Sequence, residues 1–531
     1  MNATRIHIQA LLLLQASTAL LLQGPPRCRR VRAVDVGARL DDPRYRRTHA
    51  LHVGTSLDDF PARRCSDAAD LRVTGKLPPW LQGAVIRNGP GRFTTATQNC
   101  SHLFDGMALL SRFEIDGASN RVRWKSRFLQ SKAYEYASRE GGLLYNEFGT
   151  AAGVGLLGRA VSLTRGVLAG GTTDNACVSV VPTQNNRVVC LSEPTRASYA
   201  VDPTTLETIE RHKYKGADLP GLLHTAHPLA YEDGFINVAT SLVPPKYTVY
   251  ALDGDFQHPR RICDVAPSHQ VPDVSWHHSF ALGGKYVIIL ETPCVYNVAA
   301  LVGVADAKHV AFDWRADQPT TLRIVDLELG REVTSRALHE PCFFFHAANA
   351  FVEGSMLHVD VGRYRDASML NGLALDRMRA APSLDGATPS RLVRLSLDLD
   401  GEGAVRTTVL DGEAAGNFCE FPVVDPRLEG WRHRFVYAVG LTRPGNVGNL
   451  LTRTDTETHE TIARGYGACV VGEPLVIPRP NHDECVVVIV VHDASGDAHL
   501  VIATSELEEL ARATLPEGGI PCGFHSCWIP A

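Results

Sequence analysis

Three segments of the chain share one pattern: a histidine, a short apolar run, a turn glycine six to eight residues on, and a second β-run. They start at His227, His278 and His346, with their turn glycines at Gly234, Gly284 and Gly354. A small β-unit cannot bury its own apolar face, so self-similar units stack, and many short strands without free edges close into a ring. Equivalent strands of neighbouring units then line a common axis. The repeat therefore predicts an all-β propeller in which the three histidines sit at equivalent depths on equivalent strands. A fourth, His525, lies in Gly523-Phe-His-Ser-Cys-Trp528, and the flanking Pro521, Phe524 and Trp528 predict that this segment packs inside rather than fraying.

The rest of the chain agrees with closed β architecture. Short β-runs such as Gly83 to Arg87, Tyr286 to Leu290, Met356 to Val361 and Val486 to Val491 alternate with turns such as Asp116-Gly117, Glu353-Gly354 and Asp411-Gly412. No linker divides residues 45–531, so one large β domain is expected there. A net charge of −5 over 531 residues, with no dense basic patch, argues against nucleic acid as a partner. The 13 cysteines are scattered and form no CxxC pair, which reads as free or buried thiols.

The first 40 residues differ in kind. Ile8 to Leu22 is a mainly apolar run behind Arg5, too short to span a bilayer comfortably, and Arg27, Arg29, Arg30 and Arg32 follow it with no acidic residue before Asp35. This fits a two-part targeting sequence, a signal followed by a plastid transit peptide, with an endomembrane anchor as the alternative. Two later stretches, Ala152 to Gly171 and Val295 to Ala305, are apolar beyond what a β protein needs. They suit either buried core or a surface that lies on a membrane.

Four imidazoles with neither carboxylate nor thiolate among them suit a transition metal such as Fe(II), Cu or Zn. The second ring nitrogen of each ligand needs a fixed acceptor. Glu193, Glu420 and Glu473 stand in strongly apolar or strand-like settings, where a carboxylate is costly unless paired.

The chain resembles the carotenoid cleavage oxygenases, and most closely their animal-type branch, which includes the β-carotene oxygenases and the retinal pigment epithelium retinoid isomerase. The matching segments include Leu77-Pro-Pro-Trp-Leu-Gln-Gly83, Arg87-Asn-Gly-Pro-Gly-Arg-Phe93, His102-Leu-Phe-Asp-Gly106, Thr173-Asp-Asn-Ala176, Trp276-His-His278, Phe345-His346-Ala-Ala-Asn-Ala350, Glu420-Phe-Pro422, Gly472-Glu473-Pro474 and Gly523-Phe-His525, in the family's order. The resemblance implies a seven-bladed β-propeller under a helical and loop cap. It implies one Fe(II) per chain on His227, His278, His346 and His525, with Glu193 orienting His278, Glu420 orienting His346 and Glu473 orienting His525. The reaction implied is cleavage of a conjugated C=C bond of a carotenoid or apocarotenoid by O2, to aldehyde or ketone products of retinal type. Phe128, Tyr134, Phe148, Trp276, Phe344 and Phe345 are the expected walls of the substrate tunnel, and the two apolar stretches fall where the family faces a membrane. Two departures stand out: Ser526 replaces a glycine of the family pattern, and Ala152 to Gly171 has no cysteine for a lipid anchor. Retinyl-ester isomerohydrolysis on the same scaffold, or carotenoid binding without catalysis, are the alternative functions.

Overall fold

The computed structural model describes residues 57–531, apart from the short segments 63–64, 66–67, 154, 170–171, 217–220, 270–272, 302–309, 381–388, 442–446 and 494. The leader assigned to residues 1–40 lies outside the described residues, as does part of each apolar stretch. The other strands assemble into seven antiparallel sheets of four or more strands, beside one two-stranded ribbon, Cys294–Tyr296 with Phe312–Trp314.

The fifth sheet shows the plan of a blade. Phe343–Glu353 is innermost, followed outward by Met356–Tyr364, Ser390–Asp398 and Arg406–Val409. Middle strands are covered on both faces by neighbouring blades and read as nearly continuous apolar runs, as in Cys485–Asp493 with its seven consecutive buried residues. Outer strands carry charge, as in Arg331–Ala337 and Thr208–Arg211, which discourages pairing with another chain. Gly284 and Gly354 take the left-handed conformation expected of them at inner hairpin turns (φ +57° and +62°), whereas in the third blade Glu232, not Gly234, holds that conformation at φ +51°.

Two blades are built from both ends of the described chain. Arg72–Gly75 is the outermost strand of the seventh blade, paired with Glu509–Thr514. Ser526–Pro530 is the innermost strand of the first, paired with Gln82–Arg87. The apolar segment around His525 is therefore an inner strand and its approach.

Among the described residues the α-helices lie in connections that form the cap: Lys132–Arg139, whose Ser131 hydroxyl accepts from the Tyr134 amide at 3.2 Å, then Gly155–Ala169, Val298–Leu301, Ser368–Gly372 and Leu375–Arg379. The cysteines are free thiols throughout the described residues.

Candidate metal centre

The inner strands deliver four histidines to one point, by a route slightly different from the one expected. His227 and His278 are not on strands; they stand just ahead of the inner strands Leu229–Tyr231 and Ala281–Gly283. His525 immediately precedes Ser526–Pro530. His346 lies within Phe343–Glu353, but its ladder shifts register between Phe344 and Ala347. The reason is geometric. A paired strand directs its side chains perpendicular to the sheet, toward the adjacent blades, so a side chain turns to the axis only where pairing lapses.

One ring nitrogen from each of His227, His278, His346 and His525 lies within 4.8 Å of the others. The Nε2 atoms of His227 and His278 are 3.1 Å apart, and those of His278 and His346 are 3.0 Å apart. Behind the rings, His346 Nδ1–H donates to Glu420 at 2.7 Å and His525 Nδ1–H donates to Glu473 at 2.6 Å. His278 Nδ1–H donates to Glu193. Among the described residues His227 makes no ion pair with a carboxylate, in keeping with the family pattern. These contacts assign the tautomer, because a carboxylate accepts from Nδ1–H and leaves a lone pair on Nε2. Lone pairs that converge at about 3 Å repel one another unless a cation lies between them, so the donor set fits a metal such as Fe(II). Burial, reinforced by the neighbouring imidazoles, holds His227 and His278 well below the ordinary histidine range, so neither is a cation itself. Burial also pushes Glu193 up, and positive charge at His278 Nε2 would favour its carboxylate form.

The carboxylates have further partners that sequence reasoning did not find. The Tyr364 hydroxyl donates to Glu420. The backbone N–H of Ser526 donates to the second oxygen of Glu473 at 2.8 Å. That bond explains the departure at this position: the site uses the amide of residue 526, which serine supplies as well as glycine does. Arg87, in a motif noted above but given no role there, is a buried residue whose guanidinium runs between Gly472 and Gly523 and donates to the Gly523 carbonyl at 2.8 Å. A Cβ at either glycine would fall 2.3 Å from a guanidinium nitrogen, so both motifs need glycine for close approach.

On the cap side His278, His346 and His525 border a cavity. Its walls are apolar, with Phe104, Phe345, Phe418 and Phe524 nearest the centre in sequence or contact, and its polar side chains are His278, His346, His525, Glu420 and Cys522. Phe104 lies parallel to His278 (6.4 Å between centroids, 12° between planes) and edge-on to Phe524 at 5.3 Å. Phe421 packs on His346 and His525 at 5.1 and 5.4 Å, with φ +49°, a strained conformation for a bulky residue. A second, more polar void is lined by His227, His346 and His525 together with inner-strand residues such as Leu229, Ala281 and Ala347.

Of the six aromatic residues expected in the tunnel, Phe345 lines the cavity. Phe148 and Trp276 form an aromatic cluster with Phe312 beside it; Trp276 is 5.7 Å from His278 and Phe148 is 5.1 Å from Phe104. Phe344 instead belongs to the apolar core shared by the fourth and fifth blades, and Phe128 stacks on Tyr134 at 4.8 Å in the first blade's core.

A family model described as retinal pigment epithelial membrane protein matches residues 60–530. The chain belongs to the carotenoid cleavage oxygenase family. Among similar members, carotenoid cleavage dioxygenase 8 homolog A, chloroplastic, from rice (Oryza sativa subsp. japonica) is 33% identical over 87% of this chain and 85% of its own length. The beta,beta-carotene 15,15'-dioxygenase of Mus musculus is 27% identical over 86% of this chain and 88% of its own. The placement in the animal-type branch is thus only partly supported, because plant carotenoid cleavage oxygenases match at higher identity. The Synechocystis apocarotenoid oxygenase shares the propeller fold, with a TM-score of 0.75 at 22% identity, covering 91% of this chain and 99% of that one. The named relatives are oxygenases, and this carotenoid cleavage oxygenase is an enzyme of the same kind.

Proposed function

We propose that this enzyme is a non-haem Fe(II) dioxygenase that cuts a conjugated C=C bond of a carotenoid or apocarotenoid with O2, giving aldehyde or ketone products. The observation that carries this reading is the convergence of four imidazoles, three of them backed by carboxylates and the same three bordering an apolar cavity. Fe(II) held by His227, His278, His346 and His525 would supply the O2 chemistry, so no protein nucleophile is needed.

The chain's own residues do the rest. Glu193, Glu420 and Glu473 hold three imidazoles in one tautomer and one orientation. Phe104, Phe345, Phe418 and Phe524 exclude water and offer flat faces to a conjugated chain. Apolar substrates of this class are drawn from lipid. The exposed Val161 and Leu168 on Gly155–Ala169, together with Val298, support a peripheral membrane contact. No described helix is long and apolar enough to cross a membrane. The names of the rice and Arabidopsis thaliana relatives as chloroplastic, with the leader composition, support a plastid location.

Incubation of the iron-loaded protein with β-carotene, an apocarotenal and a retinyl ester, with and without O2, tests the reading. Aldehydes or ketones carrying oxygen from labelled O2 should form from one of the first two substrates and only aerobically. Equal product yield without O2 would instead support the isomerohydrolase alternative.

A further inference from the structure

The cap-side cavity has an end that the metal centre does not explain. Leu57, on the segment that leads into the first blade, lines this cavity and is 0% exposed, although the next residue, Asp58, is exposed. The segment is fastened on both sides of that side chain. Arg379, the neighbour of the cavity residue Met378, donates to the Leu57 carbonyl at 3.0 Å. The Asp59 carboxylate accepts from the amides of Phe93 and Thr94 at 2.5 and 3.2 Å. The Phe60 amide donates to the Gly91 carbonyl at 2.7 Å, and its ring meets Trp124 and Phe128 edge-on at 6.3 and 6.2 Å. The segment is thus held in place at both Leu57 and the buried Phe60.

The cavity's lining draws on the first, fifth, sixth and seventh blades, for example Phe104, Met378, Phe418 and Val471, and on the approaches to the second and fourth, Val178 and His278. Among the described lining residues, Cys522 is the only polar side chain besides the histidines and Glu420.

We infer that Leu57 is the end stop of the substrate cavity. It sets how far an unsubstituted hydrocarbon end can pass the histidine centre, and thereby which bond is presented for cleavage. The inference rests on the proposed polyene-cleaving function and deepens it: the buried end of the substrate carries no hydroxyl, because the described lining residues offer it almost no partner. A single methylene more or less in such a pocket changes selectivity about 10- to 200-fold.

The test compares wild type with L57A, L57F and the near-isosteric L57M, each checked for folding by thermal melt. An all-trans apocarotenoid series of increasing length is titrated anaerobically by polyene absorbance, then turned over aerobically with products identified by mass spectrometry. L57A should raise kcat/KM for the next longer members, relative to the wild-type optimum, by about tenfold or more, with the cut moved along the chain. L57F should do the reverse, and L57M should leave the ratio within about twofold. If L57A does not fold, R379Q, which unties the segment without altering the lining, should broaden the length cutoff. Wild type that neither binds nor cleaves any member would defeat the functional reading itself. Wild type that cleaves, with the same length preference and products in every folded variant, would overturn the role of Leu57 alone.

Discussion

Glu473 carries two tasks on one carboxylate: one oxygen fixes the His525 ring and the other accepts the amide that starts the last inner strand. Replacing it with glutamine keeps the size but offers an amide where both partners are donors. Glu473→Gln should weaken iron retention about 10- to 100-fold, read as bound metal after dialysis against graded chelator. In the same assay His346→Ala should retain no iron, whereas His277→Ala should retain most of it. His277 faces away from the cluster: its Nδ1 is 3.3 Å from the Leu290 carbonyl and its ring packs on Tyr247 at 4.4 Å. Three of the four clustered histidines were legible in the sequence because a histidine followed by a turn glycine recurs, and His525 was legible from its apolar flanks and the family resemblance. The walls were less so. Phe344 and Phe345 look alike in sequence, and strand alternation sends one to the blade core and one to the cavity, but the register shift beside His346 hides which is which. Phe104 and Phe524 stand next to recognisable residues, His102 and His525, and that adjacency was the available signal.

At the scale of elements, the inner strand of each blade controls where the axis-facing residues fall. Ser526–Pro530 pairs with Gln82–Arg87 over five residue pairs and has His525 at its start. Asn88 extends that junction: its amide donates to the His525 carbonyl at 3.0 Å, and its side-chain amide donates to the carbonyls of Ala176 and Ser179 at 2.8 and 3.1 Å in the approach to the second blade and its inner strand. Deleting residues 525–531 should therefore unpair the first blade's inner edge as well as remove a ligand. The variant should lose cooperative thermal unfolding, whereas His525→Ala should keep it and lose metal. Middle strands could be read from the sequence because burial on both faces makes them continuously apolar. Short inner strands such as Ala281–Gly283 and Glu420–Val423 could not, since three or four residues carry no period. The cap was expected from the family resemblance, but most of its individual helices carry too few residues to show an apolar stripe, as in Ser368–Gly372 and Leu375–Arg379.

Across the whole molecule, buried histidines outside the centre make stability depend on pH. His102, His224 and His492 are buried, and burial lowers them to about 4, about 3 and about 4. Each ring donates to a backbone carbonyl, of Leu370, Gly221 and Ile520 respectively. An unfolded chain protonates these groups near pH 6.5, while the folded one stays neutral until about pH 4, so the unfolded state binds more protons between those values. The contribution of these three groups should be level above about pH 7 and fall as pH drops from about 6.5 toward 4, by at most roughly 3 kcal/mol per group, while Asp105, which burial raises to about 6, contributes with the opposite sign. Thermal melts of wild type against alanine or glutamine at any one of the three positions isolate the histidine contribution: the variant should lose less stability than wild type as pH falls from about 6.5 to 4. The interlocked first and seventh blades have a consequence for assembly. Strands that pair across more than 400 residues of sequence carry the largest loop-closure cost in the ring, so this junction should be the last part of it to form. One ligand sits at that join and the other three on blades already standing. Iron would therefore act as a keystone, binding tightly only to a finished arch, and each tenfold rise of free metal above its dissociation constant would add about 1.4 kcal/mol against reopening it.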